Sequence, residues 1–103
     1  MTTAALRLAA YQAALAAGRR HRTVSVYMSA ARRFEAFLAG HGWLPGACPA
    51  NALDAFVAAN VSRMAPASIT TVCSGIRAYV TWLRARGVAY PEFARPVLPR
   101  VQI

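Results

Sequence analysis

The sequence predicts an all-α fold, a small bundle of four helices. Three observations carry this. Ala and Arg, both strong helix formers, dominate: 24 of the 103 residues are Ala, and all twelve basic residues are Arg. Gly and Pro gather at a few places and leave intervals of helical length between them. Within those intervals the apolar residues recur every three or four positions and do not alternate. A hydrophobic content of 57% excludes a disordered chain. Ala is poor in strands, which argues against a β domain. The length allows one domain with one modest core.

The first helix spans about residues 3–17, where Leu8, Tyr11 and Leu15 share a face and Gly18 stops it. The second spans about 23–39, with Thr23 as the expected N-cap. Its inner stripe is Val24, Tyr27, Ala31, Phe34 and Leu38, widened by Met28 and Phe37, and Gly40-His41-Gly42 ends it. Pro45, Gly46 and Pro49 then mark an irregular connection. The third helix starts at Asn51, with Asp54 placed as in a capping box, and buries Leu53, Phe56, Val57 and Val61. Pro66 suits the first turn of the fourth helix. That helix has the cleanest stripe, Ile69, Val72, Cys73, Ile76, Tyr79, Val80 and Leu83, and Gly87 ends it. Tyr27, Phe34, Leu38, Phe56, Ile76, Tyr79 and Leu83 are expected to be buried together.

The net charge is +9, with Glu35, Asp54 and Glu92 as the acids. Such a domain attracts polyanions, either nucleic acid or an anionic surface. The longest uncharged stretch, Ala36 to Leu53, is broken by Gly and Pro and cannot span a membrane. With Cys48 and Cys73 expected as free thiols, a reducing, cytoplasmic setting is expected.

The outer faces narrow the reading. Opposite its stripe the second helix shows Arg22, Ser25, Ser29, Arg32 and Arg33; the fourth shows Thr70, Thr71, Ser74, Arg77, Thr81 and Arg84. An ordinary solvated face mixes both charges. Arg with short hydroxyl residues suits DNA, where guanidinium groups meet phosphates or guanine edges and small side chains permit close approach. If both faces meet DNA, the two helices should lie side by side, with Arg22, Arg32, Arg33, Arg77 and Arg84 on one continuous surface. Among other constellations, His21, His41, Cys48 and Cys73 fit no zinc spacing. Neither a Gly-rich phosphate loop nor paired carboxylates are present, so no cofactor and no metal are expected. Trp43 and Trp82 are expected to pack on the bundle, not to stack on bases.

The order of these features resembles the N-terminal core-binding domain of the tyrosine recombinase, or phage integrase, family. The residues that carry the resemblance are Thr23-Val24-Ser25-Val26-Tyr27 with Arg32 to Leu38, the turn at Gly40 to Trp43, and the short third helix at Ala52 to Asn60. Ser68-Ile69, Ser74 to Tyr79, and Leu83 to Gly87 complete the set. It runs from about Leu6 to Arg100.

The resemblance implies a SAM-like bundle of four to five helices over residues 1–95, with 96–103 beginning a linker to a catalytic domain. It also implies a role in DNA recombination and integration in a mobile element, as the non-catalytic half of a clamp around double-stranded DNA. The partners would then be duplex DNA, a C-terminal catalytic domain and neighbouring protomers, with no membrane, at the bacterial nucleoid. Family contact positions fall on Arg22, Ser25, Val26, Ser29 and Arg32, and on Ala67, Thr70, Thr71, Ser74 and Arg77. The chain has no Lys, and Tyr90 has no catalytic companions, so no catalytic residue is assigned. The alternatives are another helical DNA-binding regulator, or a basic module that meets an acidic protein.

Overall fold

A computed structural model describes residues 3–43 and 48–88. The described residues form four helices and no strand: α1 (Thr3–Ala16), α2 (His21–Gly40), α3 (Ala52–Asn60) and α4 (Pro66–Ala85). The expected linker at 96–103, Tyr90, and Pro45 and Gly46 of the connection lie outside the described residues.

Helix α2 packs against each of the other three, most extensively against α4. The two meet at Ala30 and Gly75, where a Cβ on Gly75 would lie 2.6 Å from the Ala30 Cβ. Only a residue without a side chain lets the backbones come this close. Beneath this contact lie Met28, Phe34, Leu53, Ile69, Ile76, Tyr79 and Leu83, all fully buried. Burying each of these side chains is worth about 1.5–3 kcal/mol, so the stripes and not helix propensity hold the bundle.

Both long helices end alike. At the end of α2, Gly42 takes φ +69°; its N–H donates to Ala39 O and the Trp43 N–H donates to Leu38 O. At the end of α4, Gly87 takes φ +85°; its N–H donates to Arg84 O and the Val88 N–H donates to Leu83 O. These are Schellman motifs, and glycine supplies the left-handed residue each requires.

The structure corrects four expectations. Helix α2 begins at His21 with Arg20 as its uncapped N-cap, so Thr23 lies inside the first turn. The bend after Gly18 already lets the Val24 N–H donate to Arg20 O at 3.0 Å, which starts the helix early. Asn51 does sit at the N-cap of α3, but makes no side-chain cap bond, so the capping box does not form. Tyr27 is partly buried, its ring covered by the Arg19 guanidinium at 5.2 Å. Val61 falls beyond the end of α3 and is exposed.

Candidate nucleic-acid interface

The charge of the described surface is more one-sided than the sequence total suggests. Ten arginines and two acids, Glu35 and Asp54, lie within the described residues. Glu35 is buried in α2, and its Oε2 accepts from Arg7 Nη2 at 2.6 Å and Arg7 Nε at 3.2 Å. This pair ties α1 to α2 and cancels internally. Asp54 is then the exposed acid among the described residues, set against the remaining arginines. Of these, Arg77 is partly buried and the others are exposed.

The contact of Ala30 with Gly75 fixes how the two outer faces relate. With about 100° of rotation per residue, Val26 and Arg33 come to the flank of α2 beside α4. By the same rotation Thr71 and Ala78 come to the flank of α4 beside α2. Ser29 and Ser74 lie next to these on the open side, and both are exposed, as are Val26 and Thr71. A strip of small side chains thus crosses from one helix to the other.

Arg33 shares the α4-side flank of α2 with this strip, and the other arginines lie to either side of it. Arg32 lines a groove against α1, with Gln12, Ala16 and Arg19. Arg33 lines another against α3, with Phe56, Asn60 and Arg63, and its Nη1 lies 3.9 Å from Met64 Sδ. Arg77 and Arg84 lie further round α4, on the flank toward α3, whose Asp54 acts electrostatically on Cys73. Arg22 and Ser25 are exposed on the first turns of α2. Helices α2 and α4 lie side by side, and Arg32 and Arg33 enter different grooves at their edges.

Hydroxyl geometry adds detail. Thr70 Oγ1 donates to Pro66 O at 3.0 Å and Thr71 Oγ1 donates to Ala67 O at 3.1 Å. Both hydroxyl donors are therefore used within the helix, leaving acceptor lone pairs for other partners. Ser25, Ser29 and Ser74 are exposed. No side chain caps α2, and its first turn holds no acid, so its positive end faces outward among Arg19, Arg20 and Arg22.

The other residues considered pack within or against the bundle. Tyr11 and Tyr79 are buried, with ring centroids 4.9 Å apart. Burial first, then the Tyr27 charge, raises the pKa of Tyr11; burial first, then Glu35, raises that of Tyr79. The Tyr79 hydroxyl lies beside the Arg7–Glu35 pair, which acts on it, but makes no well-aligned hydrogen bond among the described residues. Burial also pushes up the thiols of Cys48 and Cys73, both free. Trp82 packs on Tyr11 with Arg86 over its ring at 4.8 Å, and Trp43 stacks on His41. No three His, Cys, Asp or Glu side chains converge as metal ligands among the described residues. Among them, too, no helix is long and apolar enough to cross a membrane.

The sequence reading missed two features. Glu35 and Arg7 form the internal pair, which the position of Glu35 just off the apolar stripe could have signalled. Gly75, inside an otherwise good helix, is the mark of a close helix contact. Compared with protein-family models, curated proteins and solved structures, the chain matches none.

Proposed function

We propose that this chain is a double-stranded-DNA-binding domain, the non-catalytic half-clamp of a tyrosine-recombinase-like protein with a SAM-like bundle. The observation that carries the reading is the small-residue strip across α2 and α4, framed by arginines and free of acid. Duplex DNA asks for such a surface: phosphates on either side of a groove, and short side chains where the backbone must approach the bases. Arg22, Arg32, Arg33, Arg77 and Arg84 meet phosphates in this reading. Ser25, Ser29, Thr70, Thr71 and Ser74 lie toward base edges, with the Thr70 and Thr71 methyl groups available to thymine. Tyr11 and Tyr79 serve as packed, neutral core and take no part in strand cleavage.

The test places charge in the strip without touching the core. Fluorescence anisotropy with a labelled duplex should show the Thr71→Glu/Ser74→Glu double variant binding about tenfold or more weaker than wild type, because two carboxylates oppose phosphate. Circular dichroism should show unchanged helix content, since both positions are exposed. Equal binding by a folded double variant would remove the strip from the interface.

A further inference from the structure

The groove between α1 and α2 lies apart from the strip and shares only Ser25 and Arg32 at its margin. It is open to solvent along one side and offers about 320 Å³, the lower end of the range for small-molecule pockets. Three groups able to carry positive charge line it: Arg19, His21 and Arg32. They come from the turn before α2, its first residue and its middle, so the fold and not a run of sequence brings them together. Ser25 and Gln12 add neutral polar groups. The exposed Ala16, with the edges of the buried Val24 and Met28, gives part of the groove an apolar wall.

No acid lines this groove. Glu35, about one turn beyond Arg32, is held by Arg7. Arg19, His21 and Arg32 have no carboxylate partner among the described residues. The exposed Arg19 guanidinium lies over the Tyr27 ring at 5.2 Å, at the edge of the groove. Clustered guanidinium groups bind phosphate through paired, charge-assisted hydrogen bonds. The apolar wall asks for more than a bare ion, and the volume admits one small organic phosphate.

We propose that the α1–α2 groove binds a single phosphate-bearing nucleotide, with the phosphate on Arg19 and Arg32 and the sugar and base against the wall at Ala16 and Val24. The nucleotide is either free or a unit of a nucleic-acid strand. The site does not require the α2–α4 strip to bind DNA.

Amide chemical-shift mapping of the full chain tests this with three probes: deoxyadenosine monophosphate, deoxyadenosine and inorganic phosphate. The monophosphate should shift Gln12, Ala16, Val24, Ser25 and Met28. Inorganic phosphate should shift a subset of these more weakly, and the nucleoside should bind about tenfold weaker than the monophosphate or not at all. Arg32→Gln should weaken the monophosphate about tenfold, the loss expected for one charge-assisted interaction. Ala16→Glu, at an exposed position on the rim, should abolish binding while the helices persist.

Adding unlabelled duplex distinguishes the sources. Displacement of the monophosphate assigns the groove to a strand phosphate; its retention assigns the groove to a free nucleotide. If the chain binds no duplex, the DNA reading fails while the monophosphate titration still decides this site. Shifts confined to α3 and α4, equal binding of nucleoside and monophosphate, or wild-type binding by folded Arg32→Gln and Ala16→Glu would overturn the proposal.

Discussion

Glu35 sits in the core of a strongly basic chain, and its pairing with Arg7 helps to hold it there. Arg7 reaches across from α1 and donates twice to one carboxylate oxygen. Removing one member of a buried pair leaves the other uncompensated, which costs about 3–5 kcal/mol. Glu35→Ala should therefore lower the free energy of unfolding by about 3 kcal/mol in a urea titration. Arg7→Met should also destabilise the fold, because Glu35 then loses its guanidinium partner. A loss under about 1 kcal/mol for both would mean that apolar packing alone docks α1.

Tyr79 behaves oppositely. Its hydroxyl is buried without a well-aligned hydrogen bond, so Tyr79→Phe should change stability at neutral pH by less than about 1 kcal/mol. The pH dependence has a definite sign. Burial raises the folded pKa above the ordinary 10.0, so the neutral phenol is favoured in the fold. The contribution is whole below pH 10 and is lost as pH rises further. Thermal unfolding followed from neutral to strongly alkaline pH should show stability falling above that point, less steeply in Tyr79→Phe. Tyr11, also raised, leaves a remainder in the variant.

At the scale of the elements, the contact of Ala30 with Gly75 sets the spacing of α2 and α4. An added methyl would lie 2.6 Å from the Ala30 Cβ, so the helices must part. Overpacking of this kind costs about 1–3 kcal/mol, against about 1 kcal/mol gained from better helix propensity. Gly75→Ala should thus be neutral to destabilising by about 2 kcal/mol, and should reduce DNA affinity by moving the two faces apart. Ala30→Gly in the same chain should restore the spacing, giving a favourable coupling of about 1 kcal/mol in a double-mutant cycle. Strict additivity would show that the two residues do not touch.

The same pair shows what the sequence made legible. Helix positions and inner faces were readable because each stripe repeats at helical spacing and Gly42, Gly87 and Pro66 mark ends with their own backbone chemistry. Thr23 misled because a cap preference is local, while the bend after Gly18 starts α2 two residues earlier. Val61 misled because its spacing continues the α3 stripe after the helix has ended. The outer arginines were legible as faces, but not by flank. Adjacent Arg32 and Arg33 diverge into grooves against α1 and α3, and only the packing of neighbours decides which groove each enters. The α1–α2 groove was invisible for the same reason: its members are scattered from Gln12 to Arg32.

For the whole molecule the central claim is electrostatic and geometric together. With Arg7 and Glu35 cancelling inside, the described surface sets its remaining arginines against Asp54 alone. Half a clamp should hold duplex DNA weakly, in the micromolar range of largely phosphate-driven contact. Its affinity should fall steeply with salt, because each neutralised phosphate releases counterions. The most direct measurement is a salt titration of duplex binding by wild type and by the Arg32→Ala/Arg77→Ala double variant. With about four to six phosphates neutralised, wild type should give a slope of log K against log salt of about −4 to −5. The double variant should bind more weakly with a slope shallower by about two. An unchanged slope in the double variant would contradict the account, because DNA would then be held by some other face.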